Sequence, residues 1–422
     1  MNIGLKKALT LIEEGKMEAA LDELKQVSKT GDHDSKYSVA EIYYELGLVD
    51  LAKVIIEELL ALYPDEGELY TFMAELLIDL DEEDEAIEML LEIKEDDPVY
   101  VQGQLLLADL YQLQGLDEVA ELKLLNAESK VPEEPIVLFG LGEFYLSRGD
   151  YQKSIPYYKK VLPFQDELDG TNIALRLAEA YSASGYFEEA ITFYEDGINN
   201  DDATIDAHFG YGYTAFQIQN FSVAITQFEK VIDMDESYSS VYPYLGEAYE
   251  EEGRIHEAIQ IFKKGIEIDE FNEALYVQGA RVSLNNGYAD EGEQYLRKVL
   301  AINPSNFEGA KMLASLLKKE ESFEELQELI NFLKDQGEED PLFDWFLATA
   351  KHQLEDDSNV LDLYEQVSQQ LAHDSDFMEE YGQVLLENGH KEKAKMVIKK
   401  AFELDPSKEH LDQLLLEFEN EY

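Results

Sequence analysis

Two glycine pairs, Gly140-Leu141-Gly142 and Gly210-Tyr211-Gly212, have the spacing that opens a dinucleotide-binding loop. Neither has the third glycine and neither follows a strand pattern, so backbone N–H groups are not aimed at a pyrophosphate. The seven histidines are scattered with no i, i+4 pair, which gives no metal-ligand spacing. The acidic runs Asp81-Glu82-Glu83-Asp84-Glu85 and Asp233-Met234-Asp235-Glu236 lack the turn glycine and terminal Glu of a calcium loop. Cysteine is absent, which removes disulfides, thiolate metal sites and thiol nucleophiles. No phosphate-binding loop, zinc-protease helix or serine-hydrolase elbow occurs. The expectation is a chain that is not an enzyme and needs no cofactor.

Charge narrows the partners. Lys and Arg total 33 against 92 Asp and Glu, a formal net charge of -59. Such a polyanion repels nucleic-acid phosphates and anionic lipid, and it attracts basic peptides or basic protein surfaces. The same charge also keeps a large surface soluble, so a selected electrostatic role and simple dispersal both stand. The N-terminal residues lead into an amphipathic pattern instead of an apolar signal core, and no apolar run is long enough to span a bilayer. A cytoplasmic chain without membrane insertion is expected.

The elements that would position any site come from a repeat. Gly15, Gly47, Gly115, Gly149, Gly185, Gly253, Gly287 and Gly389 are spaced mostly by 34 residues or a multiple of it. Where the comb lacks glycine it falls on Asp81, Gln219, Glu321 and Glu355. Seven residues before each tooth stands a small residue (Ala40, Ala74, Ala108, Gly142, Ala178, Gly212, Gly246, Ala280, Ala314, Ala348, Gly382). Tyr43, Tyr111, Tyr145, Tyr181 and Tyr249 lie four before a tooth, and Ala20, Ala52, Ala86, Ala120, Ala190, Ala224, Ala258 and Ala394 five after. Pro64, Pro98, Pro132, Pro304 and Pro406 close units seventeen residues after a tooth. The turn residue allows a left-handed backbone, the small residue lets two helices approach, and proline stops the second helix.

These columns resemble the tetratricopeptide repeat (TPR), whose pattern runs W-x2-L-G-x2-Y, A-x3-F, P. The unit Tyr242-Pro243-Tyr244-Leu245-Gly246-Glu247-Ala248-Tyr249, followed by Ala258 and Phe262, shows it well. The resemblance covers essentially the whole chain. The acidic, cysteine-free, all-TPR layout is similar to the YpiA-type TPR proteins of Gram-positive bacteria. It implies an all-α, right-handed superhelical solenoid of about twelve helix–turn–helix units. The expected layout is an N-terminal array over 1–168, a possible kink at 169–170 near Pro156 and Pro163, a C-terminal array over 171–408, and a capping helix over 409–422.

In the family, first helices line the inner groove, and helical spacing puts unit positions 2, 5, 9 and 12 on one face. Position 9 is acidic at Glu41, Glu75, Asp109, Glu143, Glu179 and Glu247. A stacked wall of carboxylates suits a basic ligand, while Glu and Asp are also ordinary residues of such helices. Farther along, Arg281, Lys311 and Lys318, with Lys319, make a positive patch that could receive an acidic segment or relieve charge between neighbouring helices. Phe139, the stripe Phe209, Tyr213 and Phe216, and the lone Trp345 are candidate anchors or inter-repeat packing, and Tyr37 and Tyr44 share this face. The carboxylate-gripping Lys/Asn clamp of many TPR modules is not implied, because Glu or Asp stands where that clamp needs Asn.

Non-catalytic protein binding in the groove, as a scaffold or regulatory adaptor, is the expected function, with basic or apolar segments as partners. A holdase-like chaperone or assembly factor with broad, transient clients is the alternative.

Overall fold

The computed structural model describes residues 2–198, 203–356 and 358–420, with no statement on the side chains of 419 and 420. Contacts divide the chain into two compact units, residues 1–203 and 204–422. The first holds α1 (Ile3–Glu13), α2 (Met17–Thr30), α3 (His33–Glu45), α4 (Val49–Leu62), α5 (Gly67–Asp79), α6 (Glu83–Leu91), α7 (Tyr100–Leu113) and α8 (Asp117–Lys130). It continues with α9 (Pro135–Ser147), α10 (Tyr151–Val161), strands β1 (Glu167–Leu168) and β2 (Thr171–Asn172), α11 (Ile173–Ala183) and α12 (Phe187–Ile198). The second holds α13 (Ile205–Gln217), α14 (Phe221–Met234), α15 (Val241–Glu251), α16 (Ile255–Ile268), α17 (Glu273–Asn285), α18 (Ala289–Ile302) and α19 (Phe307–Lys319). Then come α20 (Phe323–Asp335), α21 (Pro341–Gln353), α22 (Val360–Val367), α23 (Ser375–Glu387), α24 (Lys391–Leu404) and α25 (Glu409–Asn420). The helices form twelve helix–turn–helix pairs and one terminal helix.

Every tooth of the comb adopts the same backbone. Gly15, Gly47 and Gly115 have φ near +70°, and Asp81, Gln219, Glu321 and Glu355 are equally left-handed at +57° to +59°. Position in the unit, and not residue type alone, sets this turn. The small column is read just as directly. A Cβ at Gly142 would lie 2.7 Å from the Tyr158 ring, and one at Gly212 or Gly246 would meet Phe228 at 2.6 Å or Phe262 at 2.5 Å. In these three pairs the helices therefore approach where a ring from the second fills the space that a side chain on the first would take.

In the second unit each odd-numbered helix from α13 to α19 also touches the next odd-numbered one, and in the first α5 meets α7. Among the described residues no two even-numbered helices make comparable contact. First helices thus crowd together along the second stack, and α5 and α7 do so in the first. At the far end Leu411 of α25 is 1% exposed, and Leu414, Leu415 and Phe418 pack on the last pair, covering its apolar face. Residues 421 and 422 of the expected cap lie outside the described residues.

Two local features depart from the repeat. Asp169 and Gly170, the extra residues, have φ of +49° and +69° and turn a two-strand antiparallel hairpin, Glu167 opposite Asn172 and Leu168 opposite Thr171. Asp-Gly with two positive φ angles is the preferred two-residue hairpin turn. This hairpin lies inside the first compact unit, and the boundary between units follows at 203/204. Pro156 sits within α10 without ending it, which leaves the Gln152 carbonyl without its helical N–H. In α21, Lys351 stands where other units have Tyr. Its Nζ lies 3.0 Å from Asn359 Oδ1, beside the left-handed Asn359 that starts the short α22.

Candidate functional site

The first helices α3, α5 and α7 hold their unit positions 2, 5, 9 and 12 toward one cavity of about 610 Å³. Tyr37, Glu41 and Tyr44 come from α3, and Glu68, Thr71 and Glu75 from α5. Gln102 comes from α7. Glu45 and Phe72 complete the lining with Val99. Phe72, 6% exposed, is the floor. Tyr37 and Tyr44 each meet it edge to face at 5.6 Å, spaced seven residues apart on one helix face.

The electrostatics of this cavity are unbalanced. Among the described residues none of Glu41, Glu45, Glu68 and Glu75 is in an ion pair. Gln102 Nε2 donates to Glu75 Oε1 at 3.3 Å, an uncharged contact. Burial raises the pKa of Glu41, and the charges of Glu45 and Glu68 add to the rise. Burial also raises Glu75, reinforced by Asp79 and opposed by the Gln102 hydrogen bond. Tyr37 is pushed up to about 12 by burial, then by Glu41, Glu68 and Glu75. Like charges gathered in a partly desolvated hollow oppose folding, and such clusters concentrate at functional sites. Asp109, next along α7, is open to solvent on its own surface, yet desolvation raises its pKa. An accessible carboxylate surrounded by that much protein lies in a concavity.

A second cavity of about 450 Å³ adjoins the first, and Tyr37 and Glu68 line both. Its floor is Leu59 and Leu69, with Tyr63 and His33 as one wall and Asp34 and Glu66 at the rim. The His33 and Tyr63 rings meet edge to face at 5.3 Å.

Of the remaining position-9 carboxylates, Glu143 and Glu179 are paired with a cation, whereas Glu247 meets only an uncharged amide. Glu143 Oε1 lies 3.0 Å from Arg176 Nε and accepts the Tyr158 hydroxyl at 2.6 Å. Glu179 Oε2 pairs with Arg176 Nη1 at 3.0 Å. In the second unit Gln278 Nε2 donates to Glu247 at 3.4 Å.

Three cations of the positive patch are engaged by neighbouring side chains. Arg281 pairs with Glu250 at 3.0 Å, and Lys311 lies over the Phe307 ring at 5.3 Å. Lys318 Nζ is 2.7 Å from Glu380 Oε1 and 3.6 Å from the Trp345 ring centre. Burial lowers the Lys318 pKa against the pull of Glu380. Lys319 is exposed.

The aromatic candidates sort by burial. Phe139 is 7% exposed and packs on Tyr158, so it belongs to the core. Trp345, 5% exposed, is likewise interior, and its Nε1 donates to Glu380 Oε2 at 2.8 Å. Phe209, Tyr213 and Phe216 remain half-buried and surround Tyr244 of α15 at 6.0, 5.4 and 5.7 Å. Tyr244 joins two repeats through this cluster.

Sequence reasoning did not single out Glu45, Glu68 or Phe72. Glu68 stands at unit position 2, already in the groove columns. Phe72 stands at position 6, where other units carry Ser38, Leu106, Gly140 or Arg176, so no column signal marks it. No group of three or more His, Asp or Glu among the described residues is arranged to hold a metal ion. No helix among them is long and apolar enough to cross a membrane.

Twelve helix pairs among the described residues, with this turn, small-residue and aromatic pattern, define a tetratricopeptide-repeat protein, and TPR family models match residues 174–205 and 245–272. Models for YpiA-like tetratricopeptide repeats match residues 112–164, and their C-terminal repeats 341–408. A model for the ARM repeat of tetratricopeptide repeat protein 21 matches residues 3–119. The chain is 40% identical over 424 residues to the TPR repeat-containing protein YpiA of Bacillus subtilis (strain 168), with 100% of each chain covered. It belongs to the YpiA family of TPR proteins.

Among solved structures, a crystal structure of MamA aligns at 25% identity with a TM-score of 0.37, covering 40% of this chain and 92% of that one. YrrB, titled as a TPR protein with an unusual peptide-binding site, aligns at 14% identity with a TM-score of 0.40, covering 45% of this chain and 96% of that one.

Proposed function

We propose that this chain is a non-catalytic interaction scaffold or adaptor that captures a basic segment of a partner protein in the groove of α3, α5 and α7. The observation that carries this reading is the cavity in which four carboxylates without cation partners surround an aromatic floor. An Arg or Lys side chain entering it relieves the mutual repulsion of the carboxylates and lays its charge against the ring faces of Tyr37 and Tyr44. A desolvated cation–π contact contributes about 2 kcal/mol. Nucleic acid and anionic lipid are disfavoured by the net charge of -59. Membership in a repeat family built around protein contacts supports the same class of role, and the cytoplasm is the compartment that suits it.

The test is calorimetric titration of the full chain with a short Arg/Lys-containing peptide and its Gln-substituted counterpart. Glu41→Gln with Glu75→Gln is expected to weaken the basic peptide at least tenfold. Glu247→Gln, the same column in the second unit, is expected to leave it unchanged. Equal affinity for the basic and Gln peptides removes the reading.

A further inference from the structure

The two adjoining cavities differ in chemistry, and this difference specifies more than a charge. The larger is floored by Phe72 and walled by Glu41, Glu45, Glu68 and Glu75, whereas the smaller is floored by Leu59 and Leu69. Leu59 is 2% and Leu69 5% exposed, so the smaller hollow has a closely packed apolar bottom under a polar rim. Tyr37 stands in the lining of both. Two side chains in contact with opposite faces of one ring are about 7 Å apart. In an extended peptide, residues i and i+2 point to the same face and lie about 6.6–6.8 Å apart.

We propose that the paired cavities read one extended segment, with an Arg or Lys side chain beside Phe72 and an apolar side chain, two residues away, over Leu59 and Leu69. This rests on the groove taking a basic segment at all, and it adds a spacing and a second side-chain class to that reading. Tyr37 is the divider that sets the spacing. Tyr63, half-exposed and held by its contact with His33, closes the apolar side. An extended segment is favoured over a helix because side chains on one helix face recur at i+3 and i+4.

The experiment uses the full chain and Gly/Ser-based peptides carrying one Arg alone, or that Arg with a Leu one, two, three or four residues to either side. Affinities are read by calorimetry. The expected result is that Leu at the two-residue spacing, on one side of the Arg, improves binding about tenfold over Arg alone, and that other spacings do not. Tyr63→Ala is expected to abolish the Leu increment while the Arg-only peptide binds as before, and Glu41→Gln with Glu75→Gln the reverse. Circular-dichroism melts of both variants verify that the helices persist. A Leu increment that is absent, indifferent to spacing, or largest at three or four residues overturns the paired reading while leaving the basic groove intact. No preference for Arg over Gln in any peptide overturns both.

Discussion

Glu41, Glu45, Glu68 and Glu75 face one cavity with no cation among the described residues, while Glu143 and Glu179, in the same repeat column as Glu41 and Glu75, share Arg176. A single arginine at residue 176 therefore separates an open stretch of the acidic column from a closed one. The open stretch carries a stability consequence with a definite sign. Burial raises the folded-state pKa of Glu75, so the folded chain binds that proton more tightly than the unfolded chain does. Stability then rises as pH falls through the raised value and is reduced where the carboxylate is ionised. Glu75→Gln is expected to melt at a higher temperature than the parent at pH 7, by a few degrees at most. The gap should close as pH is lowered into the carboxylate range, as measured by thermal melts across pH. A variant less stable than the parent at pH 7 would show that Glu75 is a structural residue held by Gln102. A higher melting temperature together with weaker basic-peptide binding is the signature of a site that trades stability for recognition.

At the scale of the helix pair, the recurrent device is the left-handed turn after each first helix. Eight glycines of the comb take it without strain, but Asp81, Gln219, Glu321 and Glu355 hold side chains at φ of +57° to +59°. A left-handed conformation costs an L-residue about 1 kcal/mol more than glycine, and Asp somewhat less because its side chain bonds locally. Glu321→Gly is expected to stabilise the second unit by about 0.5–1 kcal/mol, read as a shift in the denaturant midpoint without change in slope. An unchanged or lowered midpoint would mean that glycine's greater freedom in the unfolded chain offsets the relieved strain. The same scale explains the glycines of the small column: a Cβ at Gly142, Gly212, Gly246 or Gly382 would lie 2.7, 2.6, 2.5 or 2.5 Å from Tyr158, Phe228, Phe262 or Ile398. It also explains why Phe209, Tyr213 and Phe216 are half-covered, since Tyr244 from the next repeat fills the space between their rings.

Over the whole chain the net charge of -59 acts in two opposed ways. It draws a basic partner from a distance, and it repels itself within the folded state. Both effects are screened beyond about 8 Å at physiological ionic strength. Raising salt from about 50 to about 500 mM is expected to slow association with a basic peptide by tenfold or more in stopped-flow measurements, while the melting temperature of the chain rises. Association that is indifferent to salt would place the acidic surface outside recognition and leave it a role in dispersal alone.

Period, turn and helix face were legible in the amino-acid sequence because each depends on residues within a single repeat. The comb named the twelve left-handed turns that join the helices of a pair, including the four without glycine, and the columns at unit positions 2, 5, 9 and 12 contain Tyr37, Glu41, Tyr44, Glu68, Glu75 and Gln102 of the cavity. Asp169-Gly170 was likewise readable as a hairpin turn by its residue types, though the repeat drew attention to its position instead. Only the tertiary structure decided which carboxylates are open, because neutralising partners come from other repeats: Arg176 reaches Glu143, and Lys318 reaches Glu380. It also decided that Phe139 and Trp345 turn inward and that Phe72 floors a cavity. Periodicity assigns a side chain to a face of its helix; whether that face meets water, a ring or an opposite charge depends on the helix that packs against it.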